Sequence, residues 1–326
     1  MRFAALPTPF EPLPRLGAEL GIPLWVKRDD LTGLGLGGNK VRKLEYLIGD
    51  ALATNCDTVV TFGAVQSNHA RQTAAACARV GLHCVLILTR TVPKASSEYE
   101  HGGNVALDHL FGAQVHVVDH DPDAIYAAVA EVRDQLARTG RRARWVPAGG
   151  SDAVGGAGYV GAAFELLADA SREGVEISHV IVGSSSGGTQ AGLLVGLCAA
   201  QSKASLVGAA VYRDAAHTID RVQSVAQDVA ALLGVPTPDP SLVLADDRCL
   251  GQGYGIVDDR TSDALRRAAR SEGLVLDPVY SGKAMAVLAQ RAADGVFAEA
   301  TGVVFVHTGG SPSLFSYLDD VDVRAT

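Results

Sequence analysis

Lysine is scarce in this chain: Lys27, Lys40, Lys43, Lys94, Lys203 and Lys283 are the only six among 326 residues. Any chemistry that needs a lysine amine therefore has few candidates. Net positive charge is missing as well. The formal charge of −8 argues against nucleic acid as the main partner, because neutralising phosphates takes a basic surface. The five cysteines, Cys56, Cys77, Cys84, Cys198 and Cys249, are odd in number and form no CxxC pair. They fit neither a disulfide framework nor a zinc site, and read as small buried residues of a reducing compartment. No uninterrupted apolar run is long enough to cross a bilayer, and no basic leader followed by an apolar stretch opens the chain. The expectation is a cytoplasmic protein without a membrane partner. Aromatics are only 6% of residues while 48% are apolar, so the core must be built mainly of small aliphatic side chains. The length exceeds what one core usually covers and points to about two domains.

What is present centres on Gly37-Gly38-Asn39-Lys40-Val41-Arg42-Lys43-Leu44-Glu45. A glycine pair frees the backbone. Lys40 then falls in the first turn of a helix, at the dipole end that disfavours cations. Lys43 follows on the same face, and lysines so placed depress each other's charge. Crowding with burial yields the neutral amine that a Schiff-base lysine needs. The competing reading is a basic first turn on the surface.

Around this stretch the pattern alternates. Strands are expected at 24–31 (short, ending in charge), 58–63, 84–89, 115–118 and 144–147, with helices from about 69 to 80, at 102–111 and at 123–138. Gly149 to Gly158 reads as a glycine-rich joint with a domain crossing near it. A second alternation puts strands at 179–182, 207–211, 242–244 and 303–306, and helices at 189–200, 215–233, 260–272 and 282–293. Strands alternating with helices imply right-handed crossovers and parallel sheets.

In open α/β sheets ligands bind beyond the carboxyl ends of strands. Gly183-Ser184-Ser185-Ser186-Gly187-Gly188-Thr189 follows such a strand and opens a helix, the arrangement of an anion cradle. This loop matches neither a P-loop nor GxGxxG, so a phosphorylated cofactor fits it better than a nucleotide. Gln66-Ser67-Asn68-His69 follows another strand and serves as a site edge, a helix cap, or both. There is no GxSxG elbow to make Ser67 and His69 a hydrolase pair. His307-Thr308-Gly309-Gly310 ends a third strand, with His307 read as a core histidine. Asp277-Pro278-Val279-Tyr280-Ser281 leads into a helix, with Tyr280 and Ser281 placed to point into a cleft.

Taken together, Gly37–Glu45, Gln66–His69, Pro147-Ala148-Gly149-Gly150-Ser151, Ser186–Thr189, Asp277–Tyr280 and His307–Gly310 resemble the pyridoxal-phosphate enzymes that include D-cysteine desulfhydrase and 1-aminocyclopropane-1-carboxylate deaminase. The resemblance implies an α/β fold of the tryptophan-synthase-β type (fold type II), with open parallel sheets flanked by helices. It implies a large cofactor-binding domain of residues 1–47 plus 156–326, a small domain of 48–155, and a homodimer. Lys40 would carry the cofactor as a Schiff base and serve in catalysis with Ser67 and Tyr280. Asn68 would bond the ring hydroxyl. Ser185, Ser186, Gly187, Gly188 and Thr189 would hold the phosphate, and Ser281 and Thr308 would stand near the ring. Ser67, Asn68, His69 and Tyr280 would face a small amino-acid substrate.

Within that family the deaminases resemble one another in a Glu after the tyrosine and a Leu after the last histidine. Ser281 and Thr308 stand here instead, the desulfhydrase-like pair. A hydroxyl does not keep the pyridine nitrogen protonated, so the ring is a weaker electron sink. That suffices to expel a thiolate, whereas opening a cyclopropane is harder. The expected reaction is α,β-elimination on D-cysteine to pyruvate, ammonia and sulfide. A cysteate sulfo-lyase, an aminocyclopropane-carboxylate deaminase, an amino-acid racemase and a binder without turnover are alternatives. So, without the resemblance, is a nucleotide-binding α/β protein. Asp152 would add a negative charge if its loop touched the substrate.

Overall fold

The computed structural model describes residues 1–323. Ten strands form two sheets. They are β1 (Phe10–Pro12), β2 (Leu24–Lys27), β3 (Thr58–Ala64), β4 (His83–Arg90), β5 (Gln114–Asp119), β6 (Ala143–Val146), β7 (His179–Ser184), β8 (Ser205–Ala210), β9 (Leu244–Asp246) and β10 (Val303–Val306). One sheet runs β1-β2-β10-β7-β8-β9 and the other β5-β4-β3-β6. Every pairing is parallel except β1 with β2. Mixed α/β architecture with parallel sheets is thus as expected.

The helices are α1 (Pro14–Leu20), α2 (Lys40–Ala53), α3 (Asn68–Val80), α4 (Ser97–His101), α5 (Gly103–Leu110), α6 (Pro122–Thr139), α7 (Ala153–Arg172), α8 (Gly188–Ala199), α9 (Ala215–Leu233), α10 (Asp259–Glu272), α11 (Ser281–Ala293) and α12 (Ser311–Leu314). They cover both faces of the large sheet. Ile181 and Phe305 enter one core and Val180, Val182 and Val304 the other, because successive side chains on a strand point to opposite faces. Burial on both faces is why these strands read as continuous apolar runs. Each sheet holds one tryptophan: Trp25 stacks on Phe10 at 4.9 Å, and Trp145 packs on Phe62 at 6.1 Å.

Two expectations fail. Residues 242–244 are not the strand. Pro240–Leu242 is a 3₁₀ turn capped by the Asp239 side chain, and β9 begins at Leu244. A proline with its fixed φ suits the turn and not a ladder. The glycine-rich stretch is irregular only in its first part: Gly149 and Gly150 have positive φ in the turn between β6 and α7, while Gly155, Gly156 and Gly158 lie in α7, a helix of 20 residues. Its glycines permit close packing: a Cβ on Gly158 would lie 2.3 Å from the Arg42 carbonyl oxygen of α2, and one on Gly192 of α8 would lie 2.3 Å from the Gly156 oxygen.

A buried charge network pins α2 in place. The Arg42 guanidinium donates to both Asp29 oxygens at 2.8 and 2.9 Å and to both Glu165 oxygens at 2.8 and 3.0 Å. Tyr159 also bonds Asp29, and Lys27 pairs with Glu165 at 2.6 Å and with Asp169 at 2.5 Å. Asp29 is therefore a structural ion-pair partner, while Arg28 and Asp30 pair nearer the surface. Burial alone would raise the Glu165 carboxyl. Bonds and charge from Arg42, then Lys27, hold it at about 2, below its ordinary 4.5.

Arg42→Met leaves Asp29 buried without its cation and is expected to cost about 3–5 kcal/mol in denaturant unfolding. A depressed carboxyl stabilises the fold at pH above its ordinary value and ceases to do so as pH falls through its folded value. Unfolding midpoints should therefore drop between about pH 4.5 and pH 2. Glu165→Gln should remove that share of the slope; an unchanged slope would contradict the network's role.

Candidate active site

A cavity of about 560 Å³ lies beyond the carboxyl ends of strands from both sheets. Phe62, Gly63 and Ala64 reach it from the end of β3, Gly183 and Ser184 from β7, Thr308 from beyond β10, and Pro147, Ala148 and Gly149 from beyond β6. Of the residues singled out from sequence, Lys40, Ser67, Asn68, His69, Ser185, Ser186, Gly187, Thr189, Tyr280 and Thr308 all line it.

Gly188 and Ser281 do not line it. A Cβ on Gly188 would sit 2.6 Å from Ser151 Oγ and 2.8 Å from Lys43 Nζ, so this glycine gives room to those side chains. The Ser281 hydroxyl donates to Asp277 Oδ1 at 2.6 Å and accepts from the Asp277 N–H at 2.8 Å. It belongs to a buried turn in which Asp277 also accepts the backbone N–H groups of Val279, Tyr280 and Ser281. Asp152 is absent from the wall too. It caps α7 by accepting from the Gly155 N–H at 2.8 Å and pairs with Arg144 at 3.0 Å. Two literal GxGxxG spacings exist, at 33–38 and 156–161, but neither lines the cavity, and the second lies inside α7.

Lys40 is the first residue of α2, and Nζ donates to Asn39 Oδ1 at 3.0 Å. Burial lowers its amine to about 8, with Asp277 opposing and Arg71 adding to the shift. The crowding cation is thus Arg71 on α3, which the sequence spacing did not reveal. Lys43 is the recipient of crowding: burial first, then Lys40, push its amine well down, against the pull of Asp152. Lys43 Nζ donates to the Gly149 carbonyl at 3.1 Å and to Ser151 Oγ at 3.0 Å.

Helix α8 opens at Gly187, a left-handed residue with φ 83° and no side-chain cap. The Gly188 N–H donates to Ser151 Oγ at 3.2 Å, which leaves the amides after it in the first turn to meet an anion at the positive end of the dipole. Asn39 donates to Thr189 Oγ1 at 2.9 Å, which leaves the Thr189 hydroxyl proton for the cavity. Ser67 caps α3 by accepting from the Ala70 N–H at 3.2 Å, so its hydroxyl proton is free as well. Cap and cavity wall are therefore one residue.

His69 has its tautomer set by its neighbours. Thr61 Oγ1 donates to the Val146 carbonyl at 2.9 Å, so at 2.8 Å it accepts from His69 Nε2–H. Nδ1 then carries a bare lone pair and has no partner. Burial, with Lys40 and Lys43 nearby, keeps the ring neutral. Tyr254, which sequence reasoning passed over, also lines the cavity, and its hydroxyl bonds that of Tyr280. Burial pushes both phenols up, so both are neutral. The one available signal was an aromatic set between Gly253 and Gly255.

Residues 1–309 match the family described as pyridoxal-phosphate dependent enzyme. The chain belongs to that family. A solved structure titled as an ACC deaminase homologue shares 36% identity with it and a TM-score of 0.87, over 97% of this chain and 93% of the other. A pyridoxal 5'-phosphate-dependent aspartate racemase (TM-score 0.63, 93% of this chain and 90% of that one) and an O-ureido-L-serine synthase (0.66, 98% and 94%) are each 19% identical and share the fold. The enzyme uses pyridoxal 5'-phosphate. The cavity fits it: a half-buried lysine with a lowered amine, a helix N-terminus whose own cap residue is a glycine, and unpartnered Ser184 Oγ and His69 Nδ1. Among the described residues no helix is long and apolar enough to cross a membrane.

On the reading that Lys40 carries pyridoxal phosphate, its uptake by the cofactor-free enzyme requires the neutral amine. Its rate should rise about tenfold per pH unit below the Lys40 value and level off above about 8, read from the visible absorbance. Arg71→Gln should move that bend upward, since Arg71 lowers the amine. A bend unmoved and near 10.5 in the wild type would contradict the desolvation argument.

Proposed function

We propose that the enzyme catalyses α,β-elimination on a small amino acid, with D-cysteine as the leading substrate, giving pyruvate, ammonia and sulfide. The observation that carries this reading is the absence of any carboxylate from the cavity wall among the described residues. No carboxylate on that wall is in place to keep a pyridine nitrogen protonated, and the nearby Asp277 is taken up by Ser281 and backbone N–H groups. The hydroxyl left for that side is Thr308, since Ser281 is committed to Asp277. Bound pyridoxal phosphate supplies the electron sink at Cα. A sink weakened by a neutral ring suits a thiolate, which leaves readily.

The chain's residues divide the remaining work. Lys40 would hold the cofactor, and its amine would take the Cα proton; an amine near 8 is suited to that. The neutral tyrosine pair cannot act as the base, so Tyr280 orients the substrate and donates a hydrogen bond. Ser67, with its free hydroxyl proton, receives the substrate carboxylate. Asn68 faces the cofactor's ring oxygen. Ser185, Ser186, Gly187 and Thr189, with Lys43 behind them, hold the phosphate. The division into residues 1–47 plus 156–326 and 48–155, with the site between, belongs to the same reading.

One observation favours a second substrate. His120, His217 and Arg221 line the same acid-free cavity, which suits an anionic β substituent such as the sulfonate of cysteate. Purified enzyme should be mixed with D-cysteine, L-cysteine, cysteate and 1-aminocyclopropane-1-carboxylate, following keto acid, sulfide and sulfite. Sulfide with pyruvate from D-cysteine alone is the expected result, and sulfite from cysteate would transfer the assignment to the second substrate. Spectral change without keto acid would point to racemisation or an idle binder and overturn elimination. Lys40→Ala should abolish turnover and the visible band, and Tyr280→Phe should lower kcat by roughly 10²-fold.

A further inference from the structure

Asn68 is an asparagine facing the cavity, and an amide can present either a donor or an acceptor. Which end it presents is decided behind it. Asn104, at the start of α5, has no exposed surface. Its Oδ1 accepts from Arg71 Nη1 at 3.0 Å. A guanidinium can only donate, so the reverse orientation of Asn104 would set its NH2 against another donor. Its Nδ2 donates to the Gln66 carbonyl oxygen at 2.9 Å, and a carbonyl can only accept. Two groups of fixed polarity, on opposite sides, therefore allow Asn104 one orientation.

The Asn104 backbone is held as well, because its N–H donates to Gln66 Oε1 at 2.8 Å. Gln66 is oriented in turn by donating to the Tyr99 and Gly102 carbonyls at 2.6 and 3.0 Å. Arg71 is anchored by its other nitrogen, Nη2, which donates to the Gly37 carbonyl at 2.7 Å, three residues before Lys40. The remaining hydrogen of Asn104 Nδ2 goes to Asn68 Oδ1 at 2.9 Å. The oxygen of Asn68 is thus occupied from behind, and its NH2 is left for the cavity.

We propose that Asn104 is a positioning residue: it locks Asn68 so that a donor, never a carbonyl oxygen, faces the cofactor's ring oxygen. This rests on the reading that Asn68 faces that oxygen. The donor stabilises negative charge there, and a carbonyl in its place would repel it. Asn104→Asp keeps the partner for Arg71 but offers Asn68 an acceptor in place of a donor. Asn68 then turns over to donate to residue 104, and its oxygen faces the cavity. Asn104→Ala removes the lock without adding charge.

The test titrates cofactor-free enzyme with pyridoxal phosphate, and follows the pH midpoint of the visible band in the loaded enzyme. Circular dichroism confirms that each variant is folded. Asn104→Asp should raise the Kd about tenfold, the loss of roughly one hydrogen bond. It should raise the midpoint by about one pH unit, because a ring oxygen without its donor holds the neighbouring proton more tightly. Asn104→Ala should move both in the same direction by less. In an Asn68→Ala background neither change at 104 should have further effect, as expected when one residue acts only through another. Full additivity in that background would overturn the proposal, and so would silent Asn104 variants beside a weakened Asn68→Ala. If Asn68→Ala itself binds and titrates as the wild type does, the reading of Asn68 falls, and this proposal with it.

Discussion

Three cations, Lys40, Arg42 and Lys43, enter the buried start of α2 within four residues, at the end of a helix that disfavours positive charge. Only one is compensated. Arg42 meets Asp29, in the turn after β2, and Glu165 of α7 in a network that fixes the helix. Lys40 and Lys43 point the other way, where no carboxylate lines the cavity, and burial drives both toward the neutral form. The asymmetry makes the helix both rigid and reactive. A fully paired α2 would hold its lysines protonated, and one with no pair would leave a third buried charge unsupported.

The same asymmetry sets the proton inventory of the site. Tyr254 and Tyr280 are neutral, His69 is neutral with a bare Nδ1, and burial lowers the Lys40 amine to about 8. Around them stand hydroxyl protons at Ser67 and Thr189 and the N-terminal end of α8. The wall mostly offers protons to negative oxygen atoms and has one amine able to take a proton away. That is a pattern suited to an anionic phosphorylated cofactor.

Much of this was legible in the chain. Strand ends announce themselves by β-branched runs that stop at small polar residues, and those loops supplied Asn68, Ser185, Thr189 and Thr308, while a glycine pair at a helix start pointed to Lys40. What was illegible has physical causes. Arg71 sits in an alanine-rich helix, and only folding brings it beside Lys40. Ser281 has the right neighbours but turns its hydroxyl to Asp277, a choice of side-chain direction that spacing cannot express. Asp152 looked like an added charge at the site, but it caps a helix. That helix, α7, was itself hidden because glycine marks both flexible joints and close helix contacts. At Gly158 it is the second, with the Arg42 carbonyl oxygen directly against it.

The two tryptophans are divided between the sheets, with Trp25 beside Phe10 and Trp145 against Phe62, which forms part of the cavity wall. The molecule therefore carries one built-in lamp in each sheet. Trp145, packed on a residue of the cavity wall, is the one placed to respond to an absorbing cofactor, and Trp25 reports from the other sheet. Single-tryptophan forms turn the filling of the site, and any motion of one sheet against the other, into an optical signal without an added label.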